Sequence, residues 1–549
     1  MKRPFTTRRS PARRSAARRP HESHQPDLPQ PACQEPALQE PLAQRLGFLR
    51  APLLGLLVLS GSTALSAAAL PALLLPVAAL PLAALAQAAP GATAKQAEPR
   101  STPAATAPAV SPSPPPPQLR RQSVRALPGG LDAVPMINDN NPELIRGPGI
   151  LLSTFAPAGR GVPQAHLDLP LNGRFDLFSH HVYAGKPESL DSTLWLAVVA
   201  APRGKQPVTL RLLSGSTALS QSLDPAQPSA PFLPLPELLQ QGSTPVFSGP
   251  GSRVATELLQ RYRSPLFPER WTLAPGSLTT LMVLPIPVRG LDPLLNGRNL
   301  QLRFQSDGPV DVATLASYGD PDTPPGSESW QALLEGPLSP REHTPTPRGQ
   351  KGGIIYSRVS GVQTGSTWRG RISDPGSPYL SVRQAPISWP IASLERGSLG
   401  TGQVQTAELA GFYPGTAWAA HGNYGVEYDL SLPLRNDTAK PVQLQLALES
   451  PIKADQPQGG LRFHSVLPRA VMFRGTVEVR GLDDGAGRPS GRQSFHLVQR
   501  AGQAGPVLGR ISLAPGQVRQ VQVRLIYPAD ATPPQVLSLL PVEPAPQRL

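Results

Sequence analysis

The chain has 549 residues, among them 71 Pro, 49 Gly and a single Cys, with 5% aromatic residues. Pro at that density removes helix hydrogen bonds and clashes with the preceding turn, which excludes a helical protein and suits short strands joined by rigid turns. The formal charge of +14 is concentrated at one end: residues 1–125 hold 15 Lys and Arg against 5 Asp and Glu, and the remainder hold 36 against 32. A nucleic-acid binder carries its cations on the folded part, where they neutralise phosphates, so nucleic acid is disfavoured as a partner.

In chain order, residues 1–50 read as a disordered basic tail. Its three Arg pairs (Arg8-Arg9, Arg13-Arg14, Arg18-Arg19) lie too far from any apolar core to be a twin-arginine signal. Cys33 follows Gln-Pro-Ala rather than an apolar run, so it is no lipoprotein cysteine. No charge interrupts residues 51–94, and Arg45 and Arg50 flank that run on its N-terminal side, as an N-in entry requires. Residues 51–88 end in Ala86-Gln87-Ala88, a small-x-small cleavage pattern, and read as a signal peptide; a retained membrane anchor is the alternative. With Cys33 removed on cleavage, the exported part would hold neither disulfide nor thiol. Residues 89–122, rich in Pro, Ala, Ser and Thr, predict an extended spacer that buries no core.

From Leu127 onward, short alternating runs punctuated by Pro, Gly, Asn and Asp predict an all-β fold. One phrase is written twice. Leu194, Leu196, Val198 and Ala200, a polar turn, then Val208, Leu210 and Leu212 reappear as Tyr428, Leu430, Leu432 and Leu434, a turn, then Val442, Leu444 and Leu446. Both copies read as hairpins, and in the second Asp429 and Ser431 face water. A second phrase, Trp271-Thr-Leu-Ala-Pro-Gly276, matches Ile511-Ser-Leu-Ala-Pro-Gly516. In each, Pro presets the first corner of a type II turn and Gly supplies the positive φ of the second. The expectation is two immunoglobulin-like β-sandwich units, over 123–319 and 354–549, separated by a linker or long loop at 320–353. The Cys–Trp–Cys signature of antibody domains is missing. The stretch 255–262 is read as no more than a short surface helix.

Several strings are distinctive: Leu127-Pro-Gly-Gly-Leu-Asp-Ala-Val-Pro135, Gly149-Ile-Leu-Leu-Ser-Thr-Phe155, Gly249-Pro-Gly-Ser-Arg253, Pro285-Ile-Pro-Val288 with Leu295-Asn-Gly-Arg298, Arg358-Val-Ser-Gly-Val-Gln363 and Gly422-Asn-Tyr-Gly-Val426. Together they resemble an uncharacterised family of exported cyanobacterial proteins, a domain of unknown function with the catalogue number 3370. The resemblance spans roughly residues 125–545. It implies an envelope or extracellular setting and transfers no activity.

Two candidate sites emerge. His166, Asp168, Asp176 and His180, with His181, could converge on a divalent metal. The plainer account sets His166 and Asp168 on the solvent face of a half-buried strand, alternating with Leu167, Leu169 and Leu171. Trp368, Tyr379, Trp389, Tyr413, Trp418 and Tyr424 crowd into 57 residues and could stack on sugar rings, with core packing as the plainer account. Gly249-Pro-Gly-Ser-Arg253 reads as a turn entering a helix rather than a phosphate cradle, and Leu482 to Gly487 as a hairpin turn between strands at Val477 and Phe495 rather than a calcium loop. No catalytic residue and no cofactor is indicated. The sequence predicts a non-enzymatic protein of the periplasm, cell surface or extracellular space that binds envelope polysaccharide or protein. If residues 51–88 are uncleaved they anchor it to the inner membrane. The alternative function is an envelope hydrolase acting on glycan or peptide.

Overall fold

Period-two alternation does make strands of much of this text, because a strand with one buried face must place every second side chain in the core. The computed structural model describes residues 115–186, 192–342 and 357–542; the tail, the apolar segment and nearly all of the spacer lie outside the described residues. Within them, the protein is mostly β, in several sheets, with two α-helices. Among the described residues no helix is long and apolar enough to cross a membrane.

The described chain opens with three short strands, β1 (Gln118–Arg121), β2 (Ser123–Val124) and β3 (Gly130–Leu131), then β4 (Pro135–Asp139), β5 (Gly149–Ser153) and β6 (Arg174–Ala184). The first copy of the repeated phrase supplies β7 (Thr193–Pro202) and β8 (Val208–Leu219). It is followed by β9 (Leu238–Gln240), helix α1 (Pro250–Leu259), β10 (Arg270–Leu273) and β11 (Thr279–Ile286). Next come β12 (Leu295–Ser306), β13 (Val310–Gly319) and helix α2 (Ser327–Leu334). Beyond residue 357 lie β14 (Ser360–Thr364), β15 (Thr367–Arg371), β16 (Leu380–Ser381), β17 (Ile387–Ile391) and β18 (Leu409–Phe412). The second copy supplies β19 (Glu427–Arg435) and β20 (Val442–Glu449), then β21 (Gly460–Phe463), β22 (Val471–Arg480) and β23 (Arg492–Arg500). The chain closes with β24 (Val507–Leu513), β25 (Val518–Ile526) and β26 (Gln535–Pro541).

These strands form four principal sheets. Sheet I runs β10-β8-β12-β6-β4-β14-β18 and sheet II runs β11-β7-β13-β5. Sheet III runs β3-β15-β19-β25-β22-β23-β9, with β16 also on β19, and sheet IV runs β2-β17-β26-β20-β24. Sheets I and II enclose one core, with Phe175, Leu302 and Phe304 from the first meeting Val198, Leu284 and Val312 from the second. Sheets III and IV enclose another, in which Tyr428, Leu430 and Val523 meet Trp389, Leu446 and Leu539.

The doubled phrase is real, but neither copy is a hairpin. Strand β7 pairs with β11 and β13, whereas β8 pairs with β10 and β12. Likewise β19 pairs with β25 while β20 pairs with β24. In both copies the first two strands therefore lie in opposite sheets, and the third and fourth return to pair with the second and first. Alternation on both arms says only that each strand has an inward face, and two inward faces also meet across a core. Polar side chains hold the crossings. Arg203 donates to Asp311 and Asp168 in the first, each at 2.7 Å, and buried Asn436 donates to the carbonyls of Lys440 and Leu513 in the second, at 2.8 and 3.0 Å. The Ala-Pro-Gly turns behave as expected: the Ala274 and Ala514 carbonyls accept from Ser277 and Gln517, and Gly276 and Gly516 have φ of +71° and +74°.

Strand pairing crosses the division expected at 320–353 in both directions. Strands β1, β2 and β3 join β21, β17 and β15, β9 joins β23, and β14 joins β4 of sheet I. The stretch read as a linker holds α2, whose Trp330 is fully buried with Leu334 against Ile150 and Leu315 of sheet II. Helix α1 is not a surface helix either. Val254, Ala255, Leu258 and Leu259 are buried, and the helix packs on β8 and β12 from one side and on β22 and β25 from the other. The expected β22–β23 hairpin is present, with Val477 opposite Phe495.

Candidate functional site

The face of sheet I that looks away from its own core carries Arg174, Asp176 and Arg303, each alternating with core residues such as Phe175, Leu302 and Phe304. Sheet III does the same with Glu427 and Asp429 on β19, Glu478 and Arg480 on β22, and Gln522 and Arg524 on β25. Where these two outward faces diverge they leave a cleft of about 790 Å³. Arg261, just beyond α1, Arg369 on β15 and Arg492 at the start of β23 complete a lining of seven arginines against three carboxylates, Glu427, Asp429 and Glu478, with Asp176 buried behind them. The lining residues include neither lysine, histidine nor an aromatic ring.

The base of the cleft is a chain of alternating charges. Arg303 donates to Glu427 at 2.8 Å and lies 3.5 Å from Asp176, which also accepts from Arg174 at 2.7 Å. Arg524 donates to the other oxygen of Glu427 at 2.6 Å and reaches Glu478 at 3.3 Å; Arg492 stands 3.8 Å from Glu478. Burial alone would raise Glu427, but the guanidinium groups of Arg303 and Arg524 outweigh it and hold the carboxyl below its ordinary range. Glu478 is raised, because burial dominates and its two arginines sit farther away. Burial also raises Asp176 against the pull of Arg303 and Arg174.

The rim is different. Arg369 touches Asp132 only at 3.4 Å and is mostly exposed, as is Arg492. Exposed Arg261, which adopts a left-handed backbone at φ +61°, and exposed Arg480 have no ion pair or side-chain hydrogen bond among the described residues. Chemically this is an ion-paired floor, in which buried Arg303 Nε and Asp176 Oδ2 have no hydrogen-bond partner among the described residues, with guanidinium groups holding spare donors around its mouth, an arrangement suited to planar anions.

The expected metal cluster is dispersed. His166 is buried, not on a solvent face, with Nδ1 2.8 Å from the Ser153 hydroxyl, in a stretch that leaves strand geometry after a 3₁₀ turn. Asp168 pairs with Arg203, and Asp176 belongs to the cleft floor. His180 lies 3.7 Å from Glu143, while His181 points to the opposite side and meets Asp139 at 3.0 Å. Among the described residues no three His, Cys, Asp or Glu are grouped to hold an ion.

Nor do the six aromatics form a face. Trp368, Trp389, Tyr413 and Tyr424 are buried: Trp368 stacks on Tyr428, Tyr424 stacks on Phe178, and the Tyr413 hydroxyl accepts from the Ser153 amide at 2.9 Å. Tyr379 is half-buried beneath Arg435 and Trp418 is half-buried. Their crowding reflects the large residues that fill the interior: Trp368, Trp389 and Tyr424 belong to the core of sheets III and IV, and Tyr413 is tied to Ser153 and Ala165.

The distinctive strings prove to be joints. Arg298 is wholly buried and donates to the Pro285 carbonyl at 2.8 Å, and Asn296 donates to that of Pro287 at 2.7 Å, tying the two phrases together. Gly129, at φ +95°, lets the chain approach so closely that a Cβ would lie 1.9 Å from the Arg369 carbonyl oxygen. Gly249-Pro-Gly-Ser-Arg253 does enter α1. The start of that helix is filled by the Asp530 carboxylate, which accepts the Ser252 amide at 2.8 Å and is pushed up to about 6 by burial.

None of the cleft arginines was singled out by motif or spacing, since they are scattered from 174 to 524. For those on β6, β12, β22 and β25 the one signal is outward position on alternating strands, and Arg261, beyond α1, lacks even that. A family model described as "Protein of unknown function (DUF3370)" matches residues 122–541, the same family that the strings resemble. No curated protein matches the chain.

Proposed function

The chain belongs to this family, which brings no activity with it, and we propose a role from the site itself: an exported, non-enzymatic binding module of the cell envelope whose arginine cleft takes an anionic ligand. The cleft sits between two immunoglobulin-like sandwich units, sheets I with II and III with IV, carried beyond the membrane by the spacer. The single observation behind the proposal is the cleft of about 790 Å³ with seven guanidinium groups, a size within the range of roughly 300–1,000 Å³ typical of ligand sites. Binding is favoured over glycan or peptide hydrolysis by the state of the carboxylates. Both oxygens of Glu427 accept from arginines, and these hold its carboxyl below the ordinary range, which suits an ion-pair partner and not a proton donor.

The test is an affinity pull-down from envelope extract with the full chain and with Arg480→Glu, alongside sequencing of the N-terminus of the mature protein. Retention of an envelope component by the wild type and its loss in Arg480→Glu is expected, with a mature N-terminus near residue 89. Equal retention by both proteins would overturn the cleft as the binding surface. A mature chain that still begins in residues 1–50 would replace the cleaved signal with a membrane anchor.

A further inference from the structure

The chemistry of the cleft narrows the class of anion. A protein partner is held by a central apolar or aromatic patch that excludes water, and hot spots are rich in Trp and Tyr. Here the exposed apolar lining is essentially Leu213, at the edge. Single-stranded nucleic acid is held by stacking its bases on aromatic rings, and the lining provides none. What the walls offer is guanidinium groups with a few amide and hydroxyl partners, Gln522, Ser214 and Thr367 among them. Guanidinium is a planar fork of donors that matches a carboxylate or sulfate bidentately, whereas a lysine ammonium does not, and every cation lining the cleft is arginine.

The two tiers also divide the work. In the floor, Glu427 and Glu478 already occupy Arg303 and Arg524, so these arginines hold shape rather than ligand. The rim arginines Arg261, Arg369, Arg480 and Arg492 are the groups with donors to spare, and they line the opening between the two sheets. A hydrophilic chain that bears several anions and no apolar or base moieties satisfies all of these features. Resting on the cleft as the binding site, we infer that its ligand is an acidic polysaccharide, with uronate carboxylates or sulfates seated on the rim arginines.

The experiment titrates the full chain with an alginate oligomer, dextran sulfate, neutral dextran, poly-glutamate and a short single-stranded DNA at low salt. Variants Arg261→Glu and Arg480→Glu reverse charge at two exposed rim positions, and Arg510→Glu does so on β24 of sheet IV, outside the cleft lining. Unchanged thermal unfolding of all three keeps loss of binding distinct from loss of fold. The expected result is binding of alginate or dextran sulfate but not neutral dextran, weakened at least tenfold by each rim variant and by added salt, and unaffected by Arg510→Glu. Alginate and dextran sulfate separate carboxylate from sulfate recognition. If poly-glutamate or DNA binds in a rim-dependent manner and neither acidic polysaccharide does, the polysaccharide class is overturned while the anion cleft stands. If every ligand binds the rim variants and the wild type alike, both are overturned.

Discussion

Replacing Glu427 by Gln keeps the side-chain shape and removes one charge from the middle of the cleft floor. The carboxylate, about 7% exposed, accepts from Arg303 at 2.8 Å and from Arg524 at 2.6 Å, and those guanidinium groups are 11% and 18% exposed. A Gln amide still offers one oxygen to one arginine but turns an N–H toward the other. Loss of one charge-assisted hydrogen bond costs about 1.5–3 kcal/mol, and stripping the partner from a buried charge costs about 3–5 kcal/mol. Arg303 keeps Asp176 and Arg524 keeps Glu478, so the lower half of that span applies and about 2–3 kcal/mol is expected at pH 7. The pH dependence follows from the depressed carboxyl. Its stabilisation is complete above its ordinary value of 4.5 and is lost as acid protonates the folded group, so the gap between the proteins should narrow below that pH. Urea unfolding of both proteins at pH 7 and at acid pH measures it. A variant as stable as the wild type at pH 7, or a gap that stays constant into acid, would refute a floor held by ionised Glu427.

Trp330→Ala should cost about 3–5 kcal/mol by calorimetry, because the ring is fully buried between α2 and sheet II; a small cost would mean that α2 is a dispensable linker. His496 accepts the Ser248 amide at 3.2 Å and is pushed down to about 4, first by burial and then by Arg474. The neutral ring's stabilisation is therefore full above about pH 6.5 and is lost toward pH 4. His496→Gln should flatten the fall in unfolding temperature between those values, leaving the part due to the other histidines that burial lowers, His166, His180 and His421, the last to about 4. Gly276→Ala and Gly516→Ala add a methyl that meets nothing within 4 Å, so each should cost only the left-handed backbone penalty of about 1–2 kcal/mol. Equal costs by chemical denaturation support equivalent turns in the two copies, and a cost confined to one would contradict it.

Strand text was legible where one face is buried. Leu430, Leu432 and Leu434 are fully buried as alternation requires, and Gly276 and Gly516 carry the positive φ that their turns demand. Pairing was less legible, since the same alternation serves a hairpin or a crossing between sheets, and only the contacts of β7 and β8 with different neighbours decide. The exchange of β1–β3 and β14 between the two halves depends on contacts more than 200 residues apart in sequence, for which local pattern has no signal. Gln522 and Arg524 were legible as off-core positions. That they face a second sheet across a cleft, beside Arg303, is a tertiary fact that no local pattern signals.

The most direct measurement is amide hydrogen exchange of the full chain with and without an alginate oligomer. Protection is expected at the cleft walls, around residues 213–214, 261, 367–369, 480 and 491–492, with little change in sheets II and IV. Protection confined to sheets II and IV, with the cleft walls exchanging as in the free protein, would contradict the cleft as the binding site.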